Sequence, residues 1–201
     1  LSEIEQRALA RNDRFLTEFV ETFDLCPFAR RCRETGGLER RVLPVESADA
    51  AATLAVIDEL MTDAFNHVEV ALLIFPLLRV ESIDFDRFAS VVRQAHPPSE
   101  NSFHVVAFHP DARIDASTPS RLTSFLRRSP DPTLQLVRAR VLARVQGPNT
   151  NETVWMSSKD LKDLPKAAPP SLSERIAQQN FETVQRVGAE HLRELLADFR
   201  S

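Results

Sequence analysis

Apolar residues recur along this chain with two alternating periods, and the alternation predicts the fold. Near the N-terminus Ile4, Ala8, Phe15, Phe19 and Phe23 fall at helical spacing, with Leu16 and Val20 widening the stripe. This predicts a long helix over residues 1–24 that stops before Cys26, then a short helix over residues 27–34 broken by Gly36-Gly37. Arg40 to Val45 reads as a strand, and Pro44 ends it or places it at an edge, because proline cannot donate to a ladder. Helical spacing returns over residues 50–65, with Leu54, Ile57, Met61 and Phe65 on one face. Val68 to Phe75 is almost continuously apolar, the pattern of a strand buried on both faces. Phe85, Phe88, Val92 and Ala95 mark another helix with Ser82 as its cap, and Phe103 to Phe108 a third strand.

The order strand, helix, strand, helix, strand predicts an α/β fold: a small parallel sheet of about three main strands, βαβαβ, covered by helices and joined by right-handed crossovers. Beyond it, Asp111 to Pro130 shows neither period. Asp131, with Pro132 at the first helical position, is expected to cap a helix carrying Leu134, Val137, Val141 and Val145. Residues 147–170 read as loop, with Trp155 their only large anchor. A capping box, Ser171-Leu172-Ser173-Glu174, opens a closing helix that runs toward Phe199 and kinks at Gly188. The chain is therefore read as one α/β domain, with an N-terminal helix over 1–24, a βαβαβα core over 39–146 and a C-terminal helix over 171–199.

Composition narrows the function. The 201 residues, 43% hydrophobic and 27% charged, suffice for a sizeable core and argue against disorder. A net charge of −4 gives no sign of a nucleic-acid partner. Four glycines, none in a P-loop or G-x-G-x-x-G arrangement, argue against a nucleotide cofactor. The longest apolar run, Val70 to Leu78, is too short to cross a bilayer, so no membrane partner is expected. Two cysteines and an acidic, polar N-terminus unlike a signal peptide point to a reducing cytoplasm. The 22 arginines against three lysines supply forks suited to carboxylates and phosphates, although a codon bias gives the same excess.

Candidate chemistry begins at Cys26, in Leu25-Cys26-Pro27-Phe28-Ala29-Arg30-Arg31. With Pro27 opening a helix, Cys26 is the natural cap, where the helix N-terminus and Arg30 favour its thiolate, the nucleophilic and metal-binding form. The competing reading is a buried cysteine acting as a small hydrophobe. On a helix over 27–33 Cys26 and Cys32 face different ways, so they are not a redox pair. His109-Pro110-Asp111 follows the third strand, where ligands bind in open sheets, and Asp111 is placed to orient the imidazole. The alternative is a histidine that merely caps the strand. Arg127-Arg128-Ser129-Pro130-Asp131-Pro132 ends the aperiodic loop, where guanidinium forks and backbone N–H groups converge on an anion or simply face water.

Leu25-Cys26-Pro27-Phe28-Ala29, Phe108-His109-Pro110-Asp111 and Arg128-Ser129-Pro130-Asp131-Pro132-Thr133-Leu134-Gln135-Leu136, in this order, resemble a family of uncharacterised bacterial proteins grouped as a domain of unknown function. The resemblance extends to Ile176, Asn180, Thr183 and Gly188 and implies that Cys26, His109, Arg128 and Ser129 occupy the family's motif positions. After the histidine motif this chain departs from that family's usual tyrosine and glycine-containing loop, carrying Ala112-Arg113-Ile114-Asp115-Ala116 instead.

Three functions compete. The first is an enzyme acting on a small anionic molecule, with Cys26 as nucleophile, His109 as acid/base, Asp111 orienting it, and Arg30, Arg128 and Ser129 binding substrate. It requires a depressed Cys26 pKa and contact between Cys26 and His109. The second is a haem- or transition-metal-binding protein with Cys26 or His109 as ligand. The third is an interaction module or homodimer built on the apolar stripes of the terminal helices.

Overall fold

A computed structural model describes residues 1–26, 28–96, 99, 101–112, 117–119, 122, 126–146 and 172–200. Its elements run α1 (Glu3–Arg14), a π-helical segment (Phe15–Glu21), α2 (Ala29–Glu34), β1 (Leu38–Val42), α3 (Ala50–Leu60), β2 (Val70–Ile74), α4 (Ser82–Ala95), β3 (Phe103–Phe108), β4 (Thr133–Arg138), α5 (Ala139–Gln146), α6 (Leu172–Val187) and α7 (Ala189–Asp198). The class is α/β, as the sequence predicts, with helices flanking a four-stranded sheet. Among the described residues no helix is long and apolar enough to cross a membrane. Trp155, the three lysines and Ser171 of the expected capping box lie outside the described residues.

The sheet corrects one expectation. Its order is β1-β2-β4-β3, with β1 and β2 parallel and β4 antiparallel to both β2 and β3. The three predicted strands do point the same way, but a fourth lies among them in the opposite sense. It comes from the segment expected to be a helix from Asp131, of which only Ala139–Gln146 is helical. Leu134 and Leu136 are fully buried on one face and alternate with Thr133, Gln135 and Val137. That is a strand's period of two. The helical spacing of Leu134, Val137 and Val141 arises because those residues straddle two elements. One inserted strand also satisfies the facing backbone groups of β2 and β3, which would otherwise be open edges.

Each sheet face has its own core. On β2, Ala71 and Leu73 join Phe75, Phe85 and Phe88 beneath α3 and α4, whereas Leu72 and Ile74 join Phe15, Phe19 and Phe199 beneath the terminal helices. The Phe75 ring meets Phe85 and Phe88 edge-on, each at 5.9 Å. Burying one such ring contributes about 2–3 kcal/mol. Below the other face, Phe15 and Phe19 stack at 5.6 Å and Phe15 meets Phe199 at 6.3 Å. The terminal stripes thus bury themselves against the sheet.

Both long terminal helices are interrupted. A Ser2/Glu5 capping box opens α1, and beyond the π-helical segment the chain turns at Asp24, φ 51, with Leu25 N–H donating to Val20 O at 2.9 Å. Gly188 adopts φ 94, which a residue with a Cβ resists, and separates α6 from α7 where the kink was predicted. At the end of β4, Arg138 is 1% exposed. It donates to the carbonyls of Leu60, Phe65, Val68 and Asn101, and its guanidinium lies 4.2 Å from the Phe103 ring centre.

Candidate functional site

Strand alternation decides where His109 goes. Phe103, Val105 and Ala107 of β3 enter the core under α4, and His109 continues that odd-numbered series. Its ring tilts against Phe85 at 5.7 Å. Nδ1 accepts from the Asp111 N–H at 3.1 Å, so Nε2 carries the proton and donates to Val80 O at 3.1 Å. Burial pushes the His109 pKa down, with the Asp111 carboxylate opposing. A neutral imidazole with both nitrogens engaged ties the end of β3 to the segment before α4. Asp111 does orient the ring, but through its backbone; its carboxylate pairs with Arg200 at 3.0 Å.

Cys26 lies below the opposite face, after the π-helical segment. Because α2 starts at Ala29 with Phe28 as its cap residue, Cys26 is not the cap. Burial is the largest influence on its thiol and pushes the pKa up; N–H groups of Phe28 and Ala29 favour the thiolate less strongly, and Asp24 disfavours it. The expected depressed pKa is therefore reversed. Cys32 is raised to about 11 by burial and by its Sγ donating to Glu69 Oε2 at 3.3 Å. The two cysteines do not face different ways: with Cys26 outside the helical repeat, both line one cavity. Side chains of α6 fix this corner, Asn180 Nδ2 donating to Leu25 O at 3.1 Å and Gln179 Nε2 to Asp24 Oδ2 at 3.0 Å.

Cys26 and His109 are thus held on opposite faces of the sheet, and the structure does not bring them together. What Cys26 does share is a cavity of about 480 Å³ between the sheet and its helical cover. Its floor is the middle of the sheet, where Leu72, Gln135 and Val106 sit side by side on β2, β4 and β3. Its roof includes Asn12 of α1, Phe15, Leu16 and Val20 of the π-helical segment, and Ala177 of α6. π-helical turns are rare and concentrate at functional sites.

Polar groups on this apolar wall are few. Asn12 is 4% exposed, its Oδ1 is buried, and its amide makes no hydrogen bond to a described residue. The Gln135 amide, half-buried in the floor, makes none either. Among the described lining residues Arg127 alone is charged, and its exposure places it at the rim. Ser129 also lines the wall, with its hydroxyl committed to Asp131 O at 2.5 Å. Arg128 turns away, its Nε donating to Ala112 O at 2.9 Å, and burial opposes its charge. Arg30 lies outside on α2, 3.6 Å from Glu21.

Sequence reasoning therefore selected Cys26 and Ser129 among the lining residues and placed Arg127 in the candidate anion cluster while favouring Arg128, but it missed Asn12 and Gln135. Asn12 carried a signal, a carboxamide on the Ala8–Phe15 stripe. Gln135 became legible only once its segment was known to be a strand. Among the described residues no group of three or more His, Cys, Asp or Glu side chains is placed to hold a metal ion.

Fold and cavity together define a mixed α/β protein with a largely apolar chamber between its sheet and the N- and C-terminal helices. The chain belongs to the family described as Protein of unknown function (DUF1415), whose model matches residues 7–194. No curated protein matches the chain, and no solved structure does.

Proposed function

We propose that this chain binds a small molecule with an apolar body and an anionic end, the body inside the chamber and the anion at Arg127. The supporting observation is the composition of the wall: an apolar cavity of about 480 Å³ whose described lining holds a single charged side chain, at the rim. That volume falls within the roughly 300–1,000 Å³ of small-molecule pockets. Cys26 is the nucleophile available to a bound molecule, and His109 serves as a strut. This keeps the small anionic substrate expected from the sequence and replaces Arg128 with its neighbour. Two free thiols suit a reducing compartment, and we infer a cytoplasmic location.

The test is calorimetric titration of octanoate and 1-octanol into the wild type and Arg127→Gln. Octanoate is expected to bind several-fold more tightly than the alcohol to the wild type only, and to slow alkylation of Cys26 by iodoacetamide. Equal affinity for acid and alcohol, or no binding of either, overturns the proposal.

A further inference from the structure

The chamber carries more polarity than a simple fatty tail requires. Gln135 stands mid-strand in the floor, flanked by Leu72 and Val106, where an apolar residue would pack without cost. Asn12 lies in the roof, on the buried face of α1 between Ala8 and Phe15. Neither carboxamide has a side-chain partner among the described residues, and Asn12 Oδ1 is buried. The buried Asn12 Oδ1, left unpaired, costs the empty protein stability, and the half-buried Gln135 amide stands open to the chamber, so both residues are placed to serve a ligand.

A primary carboxamide presents one acceptor beside one donor in a plane. Its complement is an edge with a donor beside an acceptor, as in a cyclic amide or an aminopyridine, and the two form parallel hydrogen bonds. Half a turn about the terminal torsion exchanges oxygen and nitrogen, so the buried Oδ1 of Asn12 does not fix which atom meets a ligand. Phe15, Phe28 and Phe108 also line the chamber and add aromatic surface that suits a flat ring.

Building on the binding role proposed above, we infer that the chamber takes a planar nitrogen heterocycle with adjacent donor and acceptor on its edge, the ring N–H donating to the carboxamide of one wall and the ring carbonyl accepting from that of the other, Gln135 below and Asn12 above, with its acidic substituent at Arg127. The ring is positioned by hydrogen bonds in an apolar space, where an unmatched edge is strongly rejected.

Two probes of nearly the same shape test this: 2-oxo-1,2-dihydroquinoline-4-carboxylate, which has the edge, and 1-naphthoate, which lacks it. Affinities are measured by calorimetry for the wild type, Gln135→Met and Asn12→Leu. The wild type is expected to prefer the lactam by roughly tenfold, and each variant to lose most of that preference while retaining 1-naphthoate binding. Retained 1-naphthoate binding also shows that the variants are folded. Equal affinity of the wild type for both probes overturns the heterocycle but leaves the binding role standing. A lactam preference that survives both substitutions overturns the assignment of these two residues. If neither probe binds, the heterocycle is rejected, and octanoate binding decides separately whether the chamber binds acids.

Discussion

Replacing Asn12 by leucine should make the empty protein more stable. Asn12 is 4% exposed, has no side-chain partner among the described residues, and its Oδ1 is buried. A buried polar atom without a partner costs about 1–3 kcal/mol. Leucine has the same branched skeleton, the adjoining cavity has room for its bulkier methyl groups, and its higher helix propensity adds about 0.3–0.5 kcal/mol inside α1. The sum is a gain of about 2 kcal/mol. For a chain of this size that corresponds to a rise of roughly 4–8 °C in melting temperature. Thermal melts followed by circular dichroism, with ligand absent, measure it. The same substitution should weaken binding of the lactam probe, so stability and affinity move in opposite directions. A melting temperature lowered by several degrees would refute the reasoning, because it would mean that the amide makes a stabilising bond in the empty protein.

Arg138→Met should lower stability by about 3–4 kcal/mol in urea denaturation, since it leaves four carbonyls without the guanidinium that donates to them; an unchanged midpoint contradicts that bracing role. Burial holds the pKa of both His96 and His109 below 6.5, so acidification protonates the unfolded chain first. Their contribution is therefore full above pH 6.5 and is lost as pH falls through the lower folded-state values, and a urea midpoint that rises on acidification contradicts this. His109→Gln should flatten that decline. Cys26, its pKa raised by burial, should react with iodoacetamide more slowly than an unfolded thiol at neutral pH, with a rate still rising above pH 8.5. A rate that reaches its plateau below pH 7 would mean an activated thiolate.

Helices with one buried stripe and strands that form short apolar runs were legible from their patterns: Val70–Ile74 and Phe103–Phe108 lie where the sequence puts them. β4 was hidden because six residues of alternation run directly into a helix, and Leu134, Val137 and Val141 imitate a helical face across the junction. That one element controls the site. Once residues 133–138 are a strand, Gln135 must face the terminal helices and Leu134 must face α4. Cys26 and His109 were paired because each directly precedes a proline within a motif, but alternation along β3 carries His109 to the other face. Arg127 and Arg128 show the same limit. Adjacent in sequence, they divide between the cavity rim and Ala112 O, a choice set by tertiary packing.

The central claim is that the chamber between sheet and terminal helices is a binding site for an acid with an apolar body. Co-crystallisation with 8-bromooctanoate addresses it most directly, because bromine is located by its anomalous signal. The account predicts a bromine peak between Gln135 and Asn12, with the carboxylate beside Arg127. A bromine peak only on the outer surface, with the chamber unchanged, would contradict it.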